Sequence, residues 1–127
     1  MNTGDTARLM DLLAPRLSAF WLGVTCQAEG GILYVYAEGQ LVSGLMVAEL
    51  LGSRPDTADI ENVLYQVLST VQDDLLRDWG HWQRLELAAR VDALKLAVGE
   101  AWQDGESWRW GYRLPSGAVW ALEPLRL

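Results

Sequence analysis

Asp74, Asp78 and His81 follow one another at spacings of four and three residues, which on a continuous helix sets two carboxylates and an imidazole on one side. Those ligand types suit a divalent cation. The competing reading is a solvated acidic patch: Asp73, Asp74 and Asp78 all fall on the polar side of the same helical period, and Arg77 stands at ion-pairing distance along it. Gly80 further weakens a helix that would have to reach His81. Metal ligation by Asp74, Asp78 and His81 therefore remains the weaker reading, and no cofactor is expected.

Nucleophilic chemistry has little to draw on. Only one cysteine, Cys26, and one histidine, His81, are present, and nothing in their spacing brings them together. Cys26 falls on the apolar side of a strand pattern, so a buried structural thiol is expected. No phosphate-cradling glycine loop, dinucleotide fingerprint, paired-histidine zinc helix or Cys-x-x-Cys pair occurs. An enzyme is not the expected class.

The aromatic residues offer the other candidate site. Trp108, Trp110 and Tyr112 alternate with Arg109, Gly111 and Arg113, so on a strand the rings share one face and the arginines the other. With Trp102 and Trp120 they either form the core side of a sheet or leave an aromatic surface for a partner. Trp79 and Trp82, flanking Gly80 and His81 beside the acidic run, extend that candidate surface. Arg109 and Arg113, on the opposite face, are solvent-facing or serve an acidic partner.

The element that must position these groups is a helix over Thr57 to Trp79. Ile60, Val63, Leu64, Val67, Leu68, Val71, Leu75 and Trp79 repeat at three and four residues, opposite a polar face that includes Gln72. Upstream, Asp5 or Thr6 can cap a helix carrying Leu9, Met10, Leu13, Leu17 and Phe20, with Pro15 expected to kink or divide it. Gly30-Gly31 then joins two strands; the register it sets pairs Ala28 with Leu33, Cys26 with Val35 and Val24 with Ala37. Gln40 to Leu51 is apolar on nearly every side and reads as a buried helix, stopped by Gly52, with Asp56 capping the next.

Downstream, Trp82 to Val91 reads as a strand in preference to a helix, because its apolar residues split across a helical wheel but align on a strand. Leu94 to Trp102, Ser107 to Leu114 and Ala118 to Leu125 read as three more strands, with Leu94, Leu96, Val98 and Trp102 inward. A loop at Pro115 to Gly117 places Tyr112 opposite Trp120 and Trp110 opposite Leu122. At the preceding turn, a two-residue Asp104-Gly105 loop competes with a longer one that pairs Trp102 with Trp108. The class is α+β: a helix, a β-hairpin, two helices of which the second is long, then an antiparallel meander of three or four strands.

The 127 residues suit a single domain, 1–127, with a core of its own. A net charge of −7 repels phosphate backbones, and the basic residues are scattered, which argues against nucleic acid. No apolar run is long enough for a bilayer, and Met1 to Leu13 lacks the basic and apolar regions of a signal peptide, so a cytoplasmic protein without membrane partners is expected. With no catalytic constellation, seven tryptophans and a strongly acidic balance, the leading expectation is a non-catalytic protein-interaction module. Its kind would be an adaptor, a chaperone-like or a neutralising protein, homo-oligomeric or bound to another protein. The alternative is an enzyme or small-molecule binder with a pocket between the aromatic sheet and the long helix.

Overall fold

Helix α3, Thr57–Arg77, is the element on which both sheets close. At about 1.5 Å per residue its 21 residues span roughly 32 Å. Ile60, Val63, Leu64, Val67, Leu68, Val71 and Leu75 are all buried, as the periodicity requires. The computed structural model describes the backbone of residues 3–51, 57–78 and 81–126, and the side chains of 6–51, 59–78 and 81–126. The expected stop at Gly52 and cap at Asp56 lie outside the described residues, as does Trp79.

The architecture is α+β. Helix α1, Thr3–Phe20, precedes a three-stranded antiparallel sheet of β1, Val24–Glu29, β2, Ile32–Ala37, and β3, Gln40–Leu45. Helix α2, Val47–Leu51, leads to α3, and α4, Leu85–Ala93, follows it. A second antiparallel sheet ends the chain, with β4, Val98–Asp104, β5, Ser107–Arg113, and β6, Val119–Ala121, in that order; β7, Leu125–Arg126, also pairs with β5. One apolar core runs through both sheets and α1, α3 and α4. Among the described residues no helix is long and apolar enough to cross a membrane.

The glycine hairpin has the expected register, Ala28 to Leu33, Cys26 to Val35 and Val24 to Ala37, with Gly30 and Gly31 at φ of 61° and 80°. Helix α1 is one helix, neither divided nor begun at Asp5 or Thr6: it starts at Thr3 and carries Pro15 inside it. Side chains make use of nearby carbonyls there, Arg16 Nη1 donating to Leu12 O (2.9 Å) and Ser18 Oγ to Ala14 O (3.0 Å).

Gln40 to Leu51 is not a helix throughout. Glu38 and Gly39, at φ of 49° and 82°, form a second two-residue turn that pairs Ala37 with Gln40 and starts β3. A bulge at Val42 shifts the register, leaving Ser43 and Leu45 inward and Leu41 outward beside Tyr36. What reads as apolar on all sides is a strand with both faces apolar, followed by one short helix.

Trp82 to Val91 is also corrected: from Leu85 onward it belongs to helix α4. The wheel was split because only one apolar stripe, Leu87 and Val91, is buried, with Leu94 just beyond, while Leu85 is left in solvent. Helix α4 lacks a side-chain cap of its own. The Glu38 carboxylate, held out by the strained turn, accepts instead from Gln83 N–H (3.0 and 2.9 Å) and Arg84 N–H (3.3 Å). Gln72, expected on the polar face, is buried and donates to Leu94 O and Ala97 O, both at 2.7 Å.

In β4 the inward residues are Gly99 and Ala101; Val98 and Trp102, with Leu96 before the strand, point out. A Cβ on Gly99 would lie 2.8 Å from Leu68 Cβ, so α3 approaches too closely for the larger residues to face it. The β4–β5 turn is Gly105-Glu106, one residue later than the favoured loop, and sets Trp102 opposite Arg109 and Gln103 opposite Trp108. Tyr112 does face Trp120, and Leu122 N–H bonds Trp110 O at 2.9 Å. The last strand is interrupted before Pro124, which has no N–H to offer a ladder. Replacing Gly99 with alanine is expected to cost about 1–3 kcal/mol through overpacking against Leu68, a fall in melting temperature of several degrees by calorimetry.

Candidate functional site

The alternating aromatics of β5 are interior. Tyr112 and Trp110 are fully buried and Trp108 nearly so. Phe20, Trp21 and Tyr112 form a triangle with ring centres 5.3 to 5.5 Å apart, mostly edge to face, and this fastens the end of α1 to the second sheet. Tyr112 Oη donates to Leu68 O at 2.7 Å. Burial pushes its phenol well above the ordinary value, partly offset by the Trp21 indole, and Asp73 adds a smaller upward push. Trp110 Nε1 donates to Glu123 O (2.9 Å), and the buried Trp82 donates through Nε1 to Leu75 O (3.0 Å). Trp82, Trp108, Trp110 and Tyr112 are thus buried and have structural duties.

The acidic end of α3 is open. Asp74 accepts from Arg77 Nη2 at 2.6 Å, Asp73 and Asp78 are exposed, and the helix ends at Arg77. His81 is exposed; its N–H closes a turn onto Asp78 O at 2.9 Å, and its ring stands edge-on to Trp82 at 5.7 Å. Among the described residues no three His, Cys, Asp or Glu side chains gather as metal ligands. Cys26 packs against α1, where Ser18 Oγ accepts its N–H at 3.2 Å, and burial pushes its thiol up to about 11 with Ser18 drawing it slightly down. No hydrogen bond links it to His81. The arginine face of β5 is satisfied within the sheet, Arg109 by Asp104 (2.7 Å) and Arg113 by two bonds to Glu100 (2.7 and 3.0 Å).

Exposed large apolar residues lie elsewhere: Leu41, Met46, Tyr65 and Leu85 on or beside other elements, and three on or just before β4. Leu96 is 71 % exposed, Val98 60 % and Trp102 37 %, and they share the outward side with the Arg113–Glu100 pair. Among the described residues β4 has a strand partner on one side only. Beside it opens a groove of about 450 Å³ against α3, lined by Glu61, Asn62, Tyr65, Gly99, Glu100 and Ala101. A second groove of about 510 Å³ lies on the other flank of α3 against the free edge of β3, lined by Met46, Leu50, Gln66 and Thr70 among others. The sequence carried a signal for the β4 surface in the small residues Gly99 and Ala101 alternating with large ones.

Comparison with protein-family models, with curated proteins and with solved structures finds no match.

Two outcomes follow from this geometry. Tyr112→Phe keeps the ring triangle but removes the bond to Leu68 O and is expected to cost about 1 kcal/mol in a denaturant melt. Cys26 at pH 7 is expected to react with a disulfide reagent roughly a hundredfold more slowly than an unshifted thiol, its rate rising as pH climbs towards about 11.

Proposed function

We propose that the protein is a non-catalytic interaction module that receives an extended segment of another chain, a second copy of itself included, on the free edge of β4. The observation that carries this reading is the exposure of Val98 and Trp102 on a seven-residue strand, with Leu96 just before it, whose far edge has no partner among the described residues. An edge strand without guarding prolines or inward charges offers unpaired backbone donors and acceptors, and adding a strand there supplies affinity through main-chain bonds. The side chains add specificity, with apolar contact on the outward face and, across the edge, the groove over Tyr65 and Asn62. The grouping of Val98 and Trp102 on one strand, with Leu96 just before it, supports docking over ordinary surface scatter.

Homodimerisation is the form tested first, because the edge of β4 can pair antiparallel with its own copy about a two-fold axis. Light scattering on the full chain is expected to show a dimer, and Val98→Lys, which puts a charge on the outward face without touching the core, is expected to yield monomer with an unchanged melting temperature. A chain that is monomeric at millimolar concentration and whose β4 edge amides exchange freely in a lysate of its host would end the proposal.

A further inference from the structure

Arg90, in the last turn of α4, has an unusual setting. Its Cζ lies 4.8 Å from the centre of the Phe20 ring and 5.0 Å from that of Trp120, so aromatic faces cover the guanidinium. The residue is half-buried, yet among the described residues no carboxylate or carbonyl accepts its N–H groups. Six other basic side chains each have a carboxylate partner, whereas Arg90, half-buried in a chain of net charge −7, has none among the described residues. A guanidinium set against aromatic rings has lost part of its water while its N–H donors still call for acceptors.

A groove of about 280 Å³ opens beside it, lined by Arg16, Phe20, Arg90, Leu122 and Glu123 among others. Arg16 is fixed there by bonds from Nε to Pro124 O (3.1 Å) and from Nη1 to Leu12 O (2.9 Å). Its remaining nitrogen, Nη2, has only the Glu123 carboxylate, at 3.7 Å, too long for a good hydrogen bond. Glu123 is 74 % exposed and free to move aside, whereas Arg16 is 16 % exposed and is not. Two guanidinium groups with unused donors therefore line one small groove whose one carboxylate among the described residues is loosely held.

We propose that this groove binds a carboxylate, with Arg90 and Arg16 as its donors and Glu123 as the group it displaces or sits beside. Arg90 and Arg16 against Glu123 leave one surplus positive charge, which matches a monoanion, and the planar fork of a guanidinium matches the two oxygens of a carboxylate. A phosphate dianion would meet both Glu123 and the field of a −7 chain. The carboxylate can belong to a small organic acid or to an acidic side chain or C-terminus of a protein. The site is built by α1, α4 and the segment after β6, on the edge of the second sheet opposite β4, and it stands whether or not the β4 edge has an occupant.

The test is a titration of the full chain with sodium acetate at constant ionic strength, following the Arg90 Nε–H and Trp120 Nε1–H resonances by NMR. Saturable shifts at both are expected, with Arg90→Gln raising the midpoint by at least about tenfold and Glu123→Gln lowering it several-fold. Shifts that are linear and equally produced by chloride, or a midpoint untouched by Arg90→Gln, would overturn the proposal, as would tighter binding of inorganic phosphate than of acetate. Should Arg90→Gln fail to fold, Glu123→Gln decides alone: no tightening overturns it. Comparing acetate with a short acidic peptide, and that peptide with its C-terminal amide, separates a small-acid site from a side-chain or C-terminal one.

Discussion

Leu68 is the point on which the two halves of the molecule meet. Its side chain lies against Gly99, where β4 comes within the distance that a methyl group would close, and its carbonyl accepts the Tyr112 hydroxyl from β5. The second contact completes a buried phenol that would otherwise cost free energy, and the first brings the sheet near enough for that bond to form. Most else in the second half follows. With α3 so close, only glycine and alanine fit inward on β4, so the bulk of that strand must go out; with Tyr112 fixed, Phe20 and Trp21 have a ring to close on, and α1 is joined to the same centre.

Around that centre, polar groups from one element complete the backbone of another. Glu38 holds the approach to α4 from a turn in the first sheet, at the expense of a left-handed backbone that a glutamate seldom adopts. Gln72 satisfies two carbonyls of the turn between α4 and β4, and Trp82 and Trp110 each donate to a main-chain oxygen. These bonds tie segments far apart in sequence, so α4, short and without its own side-chain cap, is kept in place by its neighbours more than by its own propensity. These polar residues are structural fasteners, scattered over the fold.

The surface that remains has two characters. On β4 it is apolar, with a strand edge unpaired among the described residues; on the opposite edge of the same sheet it is a groove lined by two arginines, one of them over aromatic rings. Both were hidden in the sequence for the same reason. Val98 and Trp102 looked like core because large apolar residues usually are, and Arg90 looked like one more scattered charge because its partners, Phe20 and Trp120, are 70 and 30 residues away. The candidate residues that did stand out, the tryptophans and tyrosine of β5, stood out because the core needed them.

Local pattern was enough for what depends on neighbours in the chain. The period of α3, the glycine hairpin and its register, the pairing of Tyr112 with Trp120 and the α+β class all follow from spacing and turn chemistry, since side chains two, three or four residues apart see the same face. Tertiary structure decided the rest. Whether Gln40–Leu45 was strand or helix turned on an unexpected Glu-Gly turn; whether Leu85–Ala93 was helix turned on a carboxylate 45 residues upstream; and which way β4 faced turned on how closely Leu68 approaches Gly99. Each of these is a contact between distant residues, and its energy exists only once the fold has brought them together.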